Sequence, residues 1–128
     1  MRGISGRSAM IVLPTVDLDR AVQFYAGLLA LSVLGRDPSG CSLEAGGTEL
    51  RVTLVPVVEP STHPLVAWRV PSVTDTVAWL RAAGVEAERV DNEQEHAAEA
   101  WAESGGARVA WFRDPDGNVL AVVEEARR

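Results

Sequence analysis

At 128 residues, 47% of them hydrophobic and with no low-complexity run, the chain is one ordinary domain, long enough for a real core. Twelve basic against eighteen acidic residues leave a formal charge of −6, which speaks against nucleic acid and mildly favours a cationic ligand. All the basic residues are arginine, which excludes lysine Schiff-base chemistry and a Walker-type phosphate loop. Cys41 is the sole cysteine, so no internal disulfide is possible, as fits a cytoplasmic setting; no apolar run approaches a membrane span.

Residues 1–8, rich in Gly, Ser and Arg, read as a disordered tail. Met10 to Val16 has the length of a strand, and Pro14 within it points to an edge strand or to a place where its missing N–H faces no partner. Asp17 is an N-cap signal, and Leu18, Ala21, Val22, Tyr25 and Leu28/Leu29 recur at helical spacing, predicting a helix near 18–29. Ser32–Arg36, Cys41–Ala45 and Glu49–Val55 read as three strands joined by turns at Asp37-Pro38-Ser39-Gly40 and Gly46-Gly47. This first module covers residues 9–56, and a Pro-rich linker, 57–64, follows.

The second module, 65–128, repeats the order. Leu65–Val70 is a strand, Ser72 caps a helix near 73–83 that Gly84 ends, and Val85–Val90 is a strand. An Ala- and Glu-rich helix at about 92–104 is inserted next, with Asn92 and Glu95 at capping-box spacing. Ala107–Arg113 and Asn118–Glu125 close a hairpin across Asp114-Pro115-Asp116-Gly117, where Pro presets the first turn dihedral and Gly takes the positive φ. The halves match in residue class. Met10-Ile11-Val12-Leu13 falls on Leu65-Val66-Ala67-Trp68 fifty-five positions on, and Gly47–Val52 falls on Gly117–Val122 seventy positions on.

Thr15-Val16-Asp17-Leu18-Asp19-Arg20-Ala21-Val22-Gln23-Phe24-Tyr25 resembles the opening of the vicinal oxygen chelate superfamily, and Trp111-Phe112-Arg113-Asp114-Pro115-Asp116-Gly117-Asn118 resembles its closing hairpin. That superfamily contains glyoxalase I, extradiol dioxygenases, fosfomycin-modifying enzymes and bleomycin-resistance proteins. The resemblance implies an α+β fold of two βαβββ modules, each a half-barrel mixed sheet, forming a concave cleft, usually in a homodimer. Metal-dependent relatives place His or Gln on the first strand of a module and Glu on the last. The matching positions here are Met10 and Leu65, and Arg51 and Ala121. A thioether, an alkyl chain, a guanidinium and a methyl do not hold such a cation, so no metal and no other cofactor is expected.

Strand alternation puts Val12, Ala67, Arg69, Glu49, Thr53, Val119 and Val123 on the same face as these positions, and turns Leu13, Trp68, Leu50, Val52, Leu120 and Val122 to the helices with Phe24 and Trp79. The candidate ligand-binding residues are Glu49, Arg51, Arg69, Trp101, Trp111 and His63. His63 precedes the second module's first strand and also reads as an ordinary linker histidine. Trp101 anchors the thin apolar stripe of the inserted helix, and Trp111 opens the closing hairpin, where an aromatic stacks on a planar ligand or packs a rim. Arg51 and Arg69 either receive an anionic or carbonyl-rich ligand or pair with Glu49 or Glu44.

No catalytic set stands out. The favoured expectation is a cytoplasmic, metal-independent binding protein for an antibiotic-like small molecule, resembling bleomycin-resistance proteins and acting by sequestration, with neither nucleic acid nor membrane as partner. The alternative is a lyase, isomerase or dioxygenase acting on a small carbonyl or aromatic compound, with Glu49 as base and Arg51 or Arg69 at the oxyanion.

Overall fold

A computed structural model describes residues 3–89 and 108–125. The chain divides into two compact units, Met1–Val58 and Glu59–Arg128, so the last part of the linker belongs with the second unit. The first unit holds β1 (Met10–Thr15), α1 (Leu18–Val22), a π-helical segment (Gln23–Leu28), β2 (Ser32–Asp37), β3 (Gly40–Glu44) and β4 (Glu49–Leu54). The second holds β5 (Pro64–Val70), α2 (Val73–Ala82), β6 (Glu88–Arg89), β7 (Val109–Arg113) and β8 (Val119–Glu124). Each is a βαβββ module with a four-stranded mixed sheet, ordered β1-β4-β3-β2 in one and β5-β8-β7-β6 in the other. The sequence repeat is therefore a repeat of topology.

The register repeats as well, apart from a shift between Pro64 and Val66 that β1 lacks. β1 runs parallel to β4 with Val12 opposite Arg51, and β5 runs parallel to β8 with Ala67 opposite Ala121. Both ladders end alike: the Val55 N–H bonds to the Thr15 carbonyl, and the Glu125 N–H to the Val70 carbonyl, each at 2.8 Å. β1 is an edge strand, as Pro14 requires.

The helices begin with matching caps. The Asp17 carboxylate accepts from the Arg20 N–H, and the Ser72 hydroxyl from the Asp75 N–H, both at 3.1 Å. They end at Ala30, with φ 62°, and at Gly84, with φ 91°. From cap to stop the first helix is one residue longer than the second, and that residue is absorbed by the π-helical turn. There the Leu29 N–H reaches back five residues to the Phe24 carbonyl, at 2.9 Å. The wider turn lets adjacent Phe24 and Tyr25 both enter the core, with rings edge to face at 5.1 Å. α2 has no such turn. It buries Val73 and Leu80 at regular spacing, which leaves Trp79, one position short of Leu80, 48% exposed. The expectation of Trp79 as a core residue is thereby corrected, while Trp68 is half-buried.

The helix-facing positions form the cores. Leu13, Cys41, Leu43, Leu50 and Val52 are buried in the first unit, and Val66, Ala110, Phe112, Leu120 and Val122 in the second. Residues 3–6 form turns, with the Arg7 N–H bonded to the Ile4 carbonyl at 3.1 Å, and one local expectation changes. The strand expected over Val85–Val90 is limited, among the described residues, to Glu88–Arg89. The Val85 N–H is already used to close α2, bonding the Leu80 carbonyl at 2.8 Å. The expected helix at 92–104, with Trp101, lies outside the described residues.

Candidate functional site

In each sheet the face turned away from the helix carries the expected binding and metal positions, and the two faces are built differently. On the first, Met10, Val12 and Pro14 of β1 lie beside Glu49, Arg51 and Thr53 of β4, then Ser42 and Glu44 of β3. Met10 is 44% and Val12 59% exposed, whereas Glu49, Arg51 and Thr53 are half-buried. Arg51 is not paired with Glu49 or Glu44 as expected. Its guanidinium donates to Asp37 at 2.9 Å, to the Ser39 hydroxyl at 3.1 Å and to the Ser42 hydroxyl at 3.2 Å. The β2–β3 turn supplies two of these acceptors at its tip, which a glutamate on the neighbouring strand cannot match in direction. Gly40 makes the room, because a Cβ there would lie 2.9 Å from the guanidinium carbon and 2.6 Å from the Val52 carbonyl oxygen. Asp37 is held down to about 2, first by the side-chain and backbone hydrogen bonds from Ser39, then by the bond from Arg51.

On the second sheet this face is apolar at its centre, with Arg69 and Glu88 toward its edges. Leu65, Ala67 and Arg69 of β5 are exposed. Val109, Ala121 and Val123 are buried together, and the partly buried Trp111 packs against them. β8 is buried on both faces, since Val119, Leu120, Ala121, Val122 and Val123 are all at 8% exposure or less. Trp111 lies opposite Ala121 on one side and Glu88 on the other. Its Nε1 is buried and has no hydrogen-bond partner among the described residues.

The expected site residues are thus distributed as follows. Glu49 and Arg51 share one face, two positions apart on β4. Arg69 and Trp111 share the other, on strands either side of β8. His63 is exposed just before β5, and Trp101 lies outside the described residues. At the four positions where metal-dependent relatives carry ligands, Met10 and Leu65 are exposed, Arg51 is engaged by Asp37, and Ala121 is enclosed by Val109, Val123 and Trp111. No such side chain offers the oxygen, imidazole or thiolate donor that a divalent cation needs, so these residues do not fit one. Among the described residues no three His, Cys, Asp or Glu side chains gather at a metal-binding distance.

Residue spacing did not reveal the network of Asp37, Ser39 and Ser42. Asp37 and Ser39 read as turn residues, and only the folded hairpin brings them to Arg51. A shallow depression of about 610 Å³ lies beside them, between Asp17, Asp19, Arg36 and Asp37. Its carboxylates serve the fold: Asp17 caps α1, Asp19 pairs with Arg36, and Asp37 pairs with Arg51.

The matched family model, Glyoxalase/Bleomycin resistance protein/Dioxygenase superfamily, spans residues 7–122, and the chain belongs to that superfamily. No curated protein matches the sequence. Solved structures resemble it closely in fold and distantly in sequence. A glyoxalase family protein from Bacillus anthracis superposes with TM-score 0.75 at 15% identity, covering 98% of this chain and all of that one. A fosfomycin resistance protein from Listeria monocytogenes gives 0.71 at 16% identity, over 92% of each chain. A bleomycin-binding protein, solved in complex with bleomycin, gives 0.69 at 20% identity, over 93% of this chain and 98% of that one.

Proposed function

We propose that this protein binds an antibiotic-like small molecule by sequestration, without a metal and without converting the ligand. One observation carries the reading: the four positions that hold metal ligands in the metal-dependent relatives are here given to Met10, Leu65, Arg51 and Ala121, none of which offers an oxygen, imidazole or thiolate ligand. The neighbour solved with bleomycin supports it by showing this fold in a binding role. Trp111 adds an aromatic surface of the kind that holds planar ligands, with Arg69 exposed on the same sheet face. Turnover by Glu49 with Arg51 at an oxyanion is disfavoured, because Arg51 already has an anionic partner in Asp37. A cytoplasmic homodimer belongs to this reading, and sedimentation at micromolar concentration should report two chains.

The test is calorimetric titration with bleomycin and a panel of quinone and peptide antibiotics, followed by mass analysis of the recovered ligand. Saturable binding that returns the ligand intact, and weakens about threefold to tenfold in Trp111→Ala, is the expected outcome. Conversion of a ligand that Glu49→Gln abolishes at unchanged affinity would overturn sequestration in favour of catalysis.

A further inference from the structure

Among the described residues, the Trp111 indole N–H has no acceptor. Its Nε1 is buried, and buried donors in folded proteins are almost always paired. The ring packs against Val109, Ala121 and Val123, whose side chains offer no oxygen or nitrogen. Such surroundings also do not suit a bridging water, which needs two or more polar partners. Glu88, the cross-strand neighbour of Trp111, carries the adjacent carboxylate, yet it is exposed and makes no bond to the indole.

A donor kept unpaired in an apolar setting discriminates sharply. A ligand that supplies an acceptor gains a hydrogen bond where water competes poorly, and one that lacks it leaves the donor unmet. We propose that the Trp111 Nε1–H is the specificity-determining contact of the second unit, selecting planar, largely apolar ligands that present a carbonyl or ring-nitrogen acceptor. This rests on the binding reading above and assigns Trp111 a polar role in addition to stacking.

Two probes of nearly equal shape separate these roles: 2-acetylnaphthalene, which carries the acceptor, and 2-isopropenylnaphthalene, which does not. Equilibrium dialysis against the full chain should show the acetyl compound binding about threefold to tenfold more tightly. Trp111→Phe, which keeps an aromatic ring and removes the N–H, should bring the two within about twofold. Equal binding of both probes by the unaltered protein, or a preference that survives Trp111→Phe, overturns this inference and leaves the binding reading standing. Failure of both probes to bind at millimolar concentration counts against the second unit as a binding face altogether. If Trp111→Phe does not fold, the indole resonances of the four tryptophans decide the matter. The Trp111 proton should sit at the unbonded end of the range in the free protein and move downfield with 2-acetylnaphthalene alone. A bonded shift in the free protein overturns the proposal.

Discussion

Where the first sheet carries Arg51 opposite Val12, the second carries Ala121 opposite Ala67, in the same strand order and the same register. Around Arg51 the turn Asp37–Gly40 has become a set of acceptors, and a glycine leaves space for the guanidinium. Around Ala121 the neighbours are valines and a tryptophan, and the strand is buried on both faces. Sheet topology therefore constrains which residues face each other, while the chemistry of the face depends on what the adjoining hairpin supplies. Exchange at this one position breaks the comparison most severely. Ala121→Arg places a charge among apolar groups with no partner, and should cost about 3–5 kcal/mol in denaturant unfolding. Arg51→Ala removes charge-assisted bonds from a half-buried, partly solvent-screened site and should cost about 1 kcal/mol. Similar losses from the two variants would show that the faces are not as different as their residues.

The closing turns of the two units sharpen the contrast. Gly47 and Gly117 occupy matching places with φ 96° and 85°, so an alanine at either site is strained. At Gly47 the added Cβ meets open space, whereas at Gly117 it would lie 3.0 Å from the Pro60 side chain. Pro60 has little freedom to retreat, because Ser61 beside it is bonded to the same turn. Its N–H donates to the Gly117 carbonyl at 3.2 Å and its hydroxyl accepts from the Val119 N–H at 2.7 Å. Gly117→Ala should therefore cost about 2 kcal/mol and Gly47→Ala about 1 kcal/mol. Equal melting temperatures for the two variants would mean that Pro60 yields freely.

Helix ends give the next smaller effect. Gly84 takes the left-handed position that stops α2, and Ala30 takes it after the π-helical turn. Ala30→Gly should raise stability by about 1 kcal/mol and Gly84→Ala should lower it by a similar amount. Loss of stability in Ala30→Gly would show that the π-helical turn, and not the left-handed residue, limits this end.

These comparisons also show what the sequence discloses. Both caps, the edge position of β1 and the closing turn were legible because each rests on a local signal: Asp17 and Ser72, Pro14, and Asp114 to Gly117. The class-level repeat showed which strands correspond. Exposure of Trp79 was not legible, since a one-residue difference in helix length changes facing without leaving a local mark. The Asp37 partner of Arg51 was not among the acidic residues offered for it, because alternation orders residues along a strand and says nothing of a turn reaching across. That the Trp111 N–H has no partner among the described residues is a property of packing, and no residue pattern announces it.

The subtlest effect lies in the pH dependence of the polar face. The Asp37 carboxyl is lowered from 3.8 to about 2, chiefly by the Ser39 hydroxyl and backbone N–H and then by Arg51. Because the folded value lies below the unfolded one, its contribution to stability is complete above about pH 4. It fades as the pH falls through the interval between the two values, and is gone below the lower one. Asp37→Asn removes the titration and keeps the side chain's size. The melting temperature of the parent should therefore exceed that of Asp37→Asn at pH 6, and the gap should close between about pH 4 and pH 2. Arg51→Gln, which removes a smaller contributor and leaves Ser39 in place, should shrink the gap without abolishing it. A gap that stays constant down to pH 2 would mean that the carboxylate's charge contributes nothing to this face, and that the network holds Arg51 by shape alone.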